Sequence, residues 1–390
     1  MNTSRLFPSH SRLLLGVLLL GTLALAACGG PMQDSWAGIT TDEQQSTLYV
    51  SNGKHVLAIN PVSGAVLWEY ADEGASFYAV PTVVDGTVYV GDYNGRMHAI
   101  GANGQQLWRY QPAKQAILGP IEVTPKDRVI GGAAVDSDKV FFGLGSRNVV
   151  AVSRATGQEV WTFNTNHGVW ARPLYVPEDP ANGVNRAVVY VTSLDHNLYA
   201  VDAQTGDELW HKNLGGAAPG NMVYDQARQR VYVGTFVSEL VAVDLVSHDI
   251  IARFKTDGWI WGSPAFDGDM LYFGDLSGAL YAVRVTENGL EQVWKKPVAE
   301  EGIRATPILS NGLVIVASKD RNVYAVSKED GTGRWYRGAQ GQVLADLVFV
   351  PGEGDGEEAS GLVIVSTDQG DRLVVALAAH SGEERWVYAN

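Results

Sequence analysis

The sequence predicts an all-β protein, an eight-bladed β-propeller whose blades are four-stranded antiparallel sheets. Three observations predict it. One short unit is written eight times along the chain. Apolar residues within each unit alternate with a period of two, as strands require. Turn residues, chiefly Gly, interrupt the runs too often for any helix to form.

The unit is an apolar run, a polar turn, a second run built around Ala, a Gly turn and then Trp. Blade 1 reads Leu48-Tyr49-Val50, Val56-Leu57-Ala58-Ile59, Ser63-Gly64 and Trp68. Blade 2 has Val88-Tyr89-Val90-Gly91, Met97-His98-Ala99-Ile100, Asn103-Gly104 and Trp108. Blade 3 has Val140-Phe141-Phe142-Gly143, Val149-Val150-Ala151-Val152, Thr156-Gly157 and Trp161. Blade 4 has Val189-Tyr190-Val191, Leu198-Tyr199-Ala200-Val201, Thr205-Gly206 and Trp210. Blade 5 keeps Val231-Tyr232-Val233-Gly234 and Leu240-Val241-Ala242-Val243, but His248 replaces the turn Gly and the Trp is lost. Blade 6 has Leu271-Tyr272-Phe273-Gly274, Leu280-Tyr281-Ala282-Val283 and Trp294. Blade 7 has Val314-Ile315-Val316, Val323-Tyr324-Ala325-Val326, Gly331 and Trp335. Blade 8 has Val363-Ile364-Val365, Val374-Val375-Ala376-Leu377, Ser381-Gly382 and Trp386. Another short strand precedes each copy, clearest at Trp261-Gly262-Ser263-Pro264 and Arg304-Ala305-Thr306-Pro307. That makes four strands per unit of about 45 residues. One blade cannot bury both of its faces, but eight arranged radially bury them on each other. The recurrent Trp is expected to cap the seam between neighbouring blades.

Composition narrows the function. Of 390 residues 46% are hydrophobic, which supports a core and excludes wholesale disorder. Lys and Arg number 29 against 43 Asp and Glu, a net charge of −14, so nucleic acid is not an expected partner. A single Cys excludes an internal disulfide and any Cys-rich zinc site. The eight His form no metal-binding pattern, and no nucleophile elbow or P-loop is present. Asp355, Glu357 and Glu358 crowd one Gly-rich loop, yet lack the spacing of an EF-hand; a solvated loop is the simpler reading.

Residues 1–27 read as an address. Arg5 and Arg12 precede an apolar run from Leu13 to Ala27, too short for a confident membrane span. The run ends Leu25-Ala26-Ala27-Cys28-Gly29, which resembles the lipobox of bacterial lipoproteins. That resemblance implies cleavage before Cys28 and lipidation of Cys28, with residues 28–34 as a tether and 35–390 as the propeller. More than one acyl chain makes such an anchor durable. Gly29 after the Cys favours the outer membrane where a cell has one, on its periplasmic face, and otherwise the outer face of the plasma membrane.

The run Ala200-Val201-Asp202-Ala203-Gln204-Thr205-Gly206-Asp207-Glu208-Leu209-Trp210 resembles the PQQ-type propeller repeat. This repeat occurs in quinoprotein alcohol dehydrogenases and in the BamB family of outer-membrane assembly lipoproteins. Lipobox, eight blades and length together resemble the BamB family more. The resemblance implies a non-catalytic scaffold that binds an envelope protein, the barrel-assembly machinery if the cell has an outer membrane. Two alternatives stay open: a propeller binding a saccharide or another envelope ligand, and a PQQ-dependent dehydrogenase. For the dehydrogenases the resemblance implies a vicinal Cys pair, a Ca²⁺ held by Glu, Asn and Asp, and an Asp base. The Cys pair is absent and the calcium set cannot be placed here, so neither PQQ nor Ca²⁺ is expected.

One ring is the candidate site. Aligned on the recurrent Pro (Pro81, Pro120, Pro173, Pro264, Pro307), the position three residues earlier reads Trp36, Tyr78, Ile117, Trp170, Pro219, Trp261, Arg304 and Val343. First strands line a propeller's channel, so these positions fall at one level. Trp36, Tyr78, Trp170, Trp261 and Arg304, with Arg172 and Asp346 nearby, make an amphipathic mouth of the kind enriched in binding hot spots. The alternative is that the aromatics simply fill a wide channel. Loops extending blades 3, 4 and 8, at 124–139, 177–186 and 352–361, are further recognition candidates.

Overall fold

The period-two runs pair in chain order within every unit. The computed structural model describes residues 36–113, 115–118, 121–123, 127–180, 184–287, 289–352 and 361–390. Eight four-stranded antiparallel sheets occupy 38–71, 82–110, 134–164, 174–213, 223–255, 265–297, 308–338 and 348–388, each with its strands in sequence order. These are blades 1 to 8. In blade 4 the strands are Leu174–Val176, Val188–Thr192, Asn197–Asp202 and Glu208–Asn213. The second strand of that blade is wholly buried and the outer, fourth strand is half-exposed. A separate hairpin, Gln115–Leu118 with Ile121–Val123, lies between blades 2 and 3.

The Ala and Trp of the repeat are steric partners. They face each other across the third and fourth strands in seven blades, as in Ala58 with Trp68, Ala200 with Trp210 and Ala376 with Trp386. Blade 5 pairs Ala242 with Ala252 instead. A bulge follows this Ala in all eight blades, increasing the local twist.

The seams are as expected from the repeat. Trp108, Trp161, Trp294 and Trp335 donate their indole N–H to carbonyls of the next blade: Arg154 (2.8 Å), Ala203 (3.2 Å), Lys328 (3.1 Å) and Ala379 (3.1 Å). Each indole rests on the turn Gly of that blade, as Trp161 does on Gly206. The irregular blade compensates twice. His248 adopts φ 60° at the Gly position and stacks on Trp210, ring centroids 4.5 Å apart. Where blade 5 lacks its Trp, Arg230 reaches across to the carbonyls of Thr286 (3.3 Å) and Glu287 (3.2 Å).

The sequence suggests that segments 35–42 and 383–388 lie side by side where the circle closes. They do not: Gly38–Thr41 is the inner strand of blade 1 and Glu384–Tyr388 the outer strand of blade 8. Closure is a seam like the others. Trp386 donates to Pro61 O at 3.0 Å and Ser366 Oγ to Ala37 O at 2.6 Å, over a shared apolar cluster including Ile39, Leu48, Val350, Ile364 and Val374.

Candidate functional site

Backbone crowds backbone where the eight first strands converge. One position per blade is therefore Ala or Gly: Ala37, Ala79, Gly131, Ala171, Gly220, Gly262, Ala305 and Ala345. A Cβ on Gly220 would lie 2.1 Å from Trp261 O, and one on Gly262 2.4 Å from Arg304 O. The residue before each small one points to the axis. Strand register puts Trp36, Tyr78, Ile130, Trp170, Pro219, Trp261, Arg304 and Leu344 at this level.

Two expected ring members are corrected. Ile117 belongs to the hairpin between blades 2 and 3, since the first strand of blade 3 is Ala134–Val135. Val343 is one residue early, and Leu344 takes the position. Both errors put a Leu, Leu118 or Leu344, where backbone contact admits only Ala or Gly.

A cavity of about 590 Å³ opens at this mouth, lined by Trp36, Trp170, Trp261 and Arg304 with Arg172 and Asp346. Tyr78 sits at the right level, but its ring packs on Tyr93 at 5.1 Å, away from the cavity lining. The Arg304 guanidinium lies between two indoles, 3.7 Å from the Trp261 ring centre and 4.4 Å from that of Trp36. Trp170 meets Trp261 at 5.9 Å, inclined by 40°.

Two residues further along each first strand lies a second level: Gly38, Val80, Gly132, Arg172, Asn221, Ser263, Thr306 and Asp346. Its side chains tie blades together. Asn221 Oδ1 accepts from Arg172 N (2.7 Å), Ser263 Oγ donates to Asn221 O (2.9 Å), and Asp346 Oδ1 accepts from Thr306 N (2.7 Å). Arg172 is exposed within the channel, where protein packs around it on several sides. Burial pulls its guanidinium below the ordinary arginine value, and Asp346 offsets part of that.

The sequence reading missed Tyr93, Arg128 and Phe236. Phe236 joins Trp261 (5.3 Å) to Trp259 (5.0 Å), which is 52% exposed, and Arg128 lies over Tyr93 at 5.3 Å. Tyr93 and Phe236 occupy one repeat position, the turn after the second strand. Their amides donate to Ser76 O and Ala217 O, two residues before a ring position, which fixes the height of the ring. Aligning those turns as well as the first strands finds them.

Strand direction sorts the strand ends onto two faces. The fourth strand of blade 2 ends on the mouth face, whereas the first strands of blades 4 and 8 end, and their second strands begin, on the opposite face. Cys28, the expected leader and tether at 1–34, and Asp355, Glu357 and Glu358 lie outside the described residues. Among the described residues no three His, Cys, Asp or Glu gather to hold a metal. The carboxylates lining the cavity are Asp346 at the second level and Asp42 and Glu43 just past the first strand of blade 1. The mouth can stack rings, donate hydrogen bonds and counter negative charge.

The family model for outer membrane protein assembly factor BamB matches residues 30–167, 146–249 and 195–389. The chain belongs to the BamB family. It is 25% identical to outer membrane protein assembly factor BamB of Yersinia pestis, over 73% of this chain and 70% of that one. It is also 26% identical to a quinoprotein ethanol dehydrogenase of Pseudomonas putida, over half of this chain but only 34% of the dehydrogenase. The crystal structure of BamB from Moraxella catarrhalis superposes with a TM-score of 0.64, at 16% identity over 89% of this chain and 94% of that one, and so shares the fold.

Proposed function

We propose that this BamB-family propeller is a lipid-anchored envelope scaffold that binds a protein partner and catalyses no reaction. One observation carries the reading: the match to an assembly-factor family spans 30–389 and takes in every blade. The mouth face supports it, because Trp259 and Arg128 stand exposed there above the ring of Trp36, Trp170, Trp261 and Arg304. Lipidation at Cys28 would hold that scaffold at the membrane, on the periplasmic face of an outer membrane where one exists. The dehydrogenase reading is less favoured, because among the described residues no three His, Cys, Asp or Glu gather where they could hold its metal.

Affinity capture tests this, using the full lipidated chain in mildly solubilised envelope. The expected result is enrichment of a barrel-assembly subunit, weakened about tenfold by a Trp259→Ala, Arg128→Ala double variant, the size of an interfacial hot spot. Dye reduction on adding PQQ and Ca²⁺, with no protein captured, would overturn it.

A further inference from the structure

The two levels of the channel are unevenly furnished. Indoles occupy the upper level on blades 1, 4 and 6. At the lower level polar side chains stand on five consecutive blades, Arg172, Asn221, Ser263, Thr306 and Asp346. Opposite them, on blades 1 to 3, are Gly38, Val80 and Gly132, which leave room. Asn221 and Asp346 each give one oxygen to a neighbouring blade and keep the rest of their hydrogen-bonding capacity for the cavity. The Arg172 guanidinium makes no hydrogen bond or ion pair among the described residues; Asp346 acts on it only at longer range. An unpartnered guanidinium facing a cavity offers its fork of donors to an anion.

We propose that the channel mouth binds an acidic saccharide, its sugar ring against Trp170 and Trp261, its carboxylate on Arg172 and its hydroxyls on Asn221, Thr306 and Asp346. The cavity of about 590 Å³ is of small-ligand size. Sugar hydroxyls both donate and accept, which suits a shelf offering amide donors, a hydroxyl and a carboxylate. A flat aromatic acid would use the donors alone. It would also want parallel walls, whereas Trp170 and Trp261 are inclined by 40° and Arg304 covers one face of Trp261. The proposal rests on reading the ring as a binding surface and is independent of which protein the scaffold holds.

Calorimetric titration and indole fluorescence of the full chain test it, with trigalacturonate, neutral maltotriose and benzoate as probes. Trigalacturonate is expected to bind saturably and shift the indole emission, with maltotriose about tenfold weaker or worse, as loss of a charge-assisted contact implies. Arg172→Gln is expected to lose about tenfold for trigalacturonate alone, at unchanged melting temperature. Thr306→Val, which leaves the backbone bond to Asp346 in place, is expected to weaken it severalfold. If Arg172→Gln unfolds the protein, Thr306→Val decides. Equal binding of maltotriose and trigalacturonate, or binding of benzoate in their stead, overturns the proposal. So does failure of every sugar while capture of the envelope partner persists, and that outcome leaves the scaffold reading standing.

Discussion

At the residue scale, His98 departs from its equivalents in an informative way. Tyr199, Tyr281 and Tyr324 occupy the same repeat position and donate to Asp195 (2.7 Å), Asp275 (2.9 Å) and Asp320 (2.7 Å). In blade 2 the fully buried His98 places Nε2 3.3 Å from Asp92 Oδ2 and Nδ1 3.2 Å from the Tyr70 hydroxyl. Arg96 Nε donates to the same carboxylate at 2.6 Å, and Asp72 lies farther out. Burial pushes His98 below the ordinary imidazole value, with Asp92 pulling it partly back. Burial would raise Asp92, but bonds from His98, Arg96 and Asn94 outweigh it and hold the carboxyl below its usual range. The unfolded chain thus takes up a proton at His98 near pH 6.5 while the folded chain resists it. Stability from this residue is present above that pH and is lost as pH falls from there toward the folded value. His98→Tyr removes the term and restores the pairing seen in blades 4, 6 and 7. Urea denaturation at pH 7 and pH 5 is expected to show wild type losing more stability than His98→Tyr over that interval. Equal losses would refute the assignment. At lower pH both proteins lose the contribution of Asp92 as its carboxyl is protonated.

At the scale of the element, the seam is a Trp of one blade seated on a turn of the next. Gly206 has φ +79°, and a Cβ there would lie 2.7 Å from Trp161. Gly53 has φ +59° with nothing within 4 Å of the same point. Replacing either with Ala forces a left-handed conformation on a residue with a Cβ, costing about 1 kcal/mol. Gly206→Ala must also displace an indole, adding about 1–3 kcal/mol of overpacking. Urea midpoints are expected to fall clearly further for Gly206→Ala than for Gly53→Ala; similar falls would mean the indole is not a tight gasket. The seam was legible because its parts are local: Ala and Trp recur at set spacing within one unit. The ring was legible where a Pro marks the first strand, and at Trp36 and Pro219 without one. Pro120 misled because the strands on either side of it in sequence, Gln115–Leu118 and Ile121–Val123, pair with each other and not with blade 3. In blade 8 no Pro stands at the aligned position, and the small residue Ala345 was the better marker. Tyr93 and Phe236 escaped because they meet the ring through contacts between separate strands, which no spacing within a unit displays.

At the scale of the whole molecule, the closing joint decides how rigid the mouth is. Each blade is built from consecutive strands, so closure rests on packing and a few bonds. The joint repeats an ordinary seam in detail. Ser366 Oγ donates to Ala37 O at 2.6 Å across it, and Ser51 Oγ donates to Ala79 O at 2.7 Å between blades 1 and 2, both hydroxyls fully buried. Removing either hydroxyl leaves a buried carbonyl short of a partner, a cost of about 1–3 kcal/mol. If closure is equivalent to any other seam, Ser366→Ala and Ser51→Ala lose the same stability to within about 0.5 kcal/mol, since each removes one buried hydroxyl from a carbonyl of the next blade. Both should keep one cooperative transition, with indole fluorescence and far-ultraviolet dichroism coincident. A weak joint would behave otherwise, with Ser366→Ala opening first and the two probes separating. The channel levels are held by bonds between neighbouring blades, such as Asp346 to Thr306 N, so an early opening would also dissolve the mouth before the blades. Coincident transitions in both variants therefore imply a mouth that stays preorganised for its ligand until the whole ring unfolds.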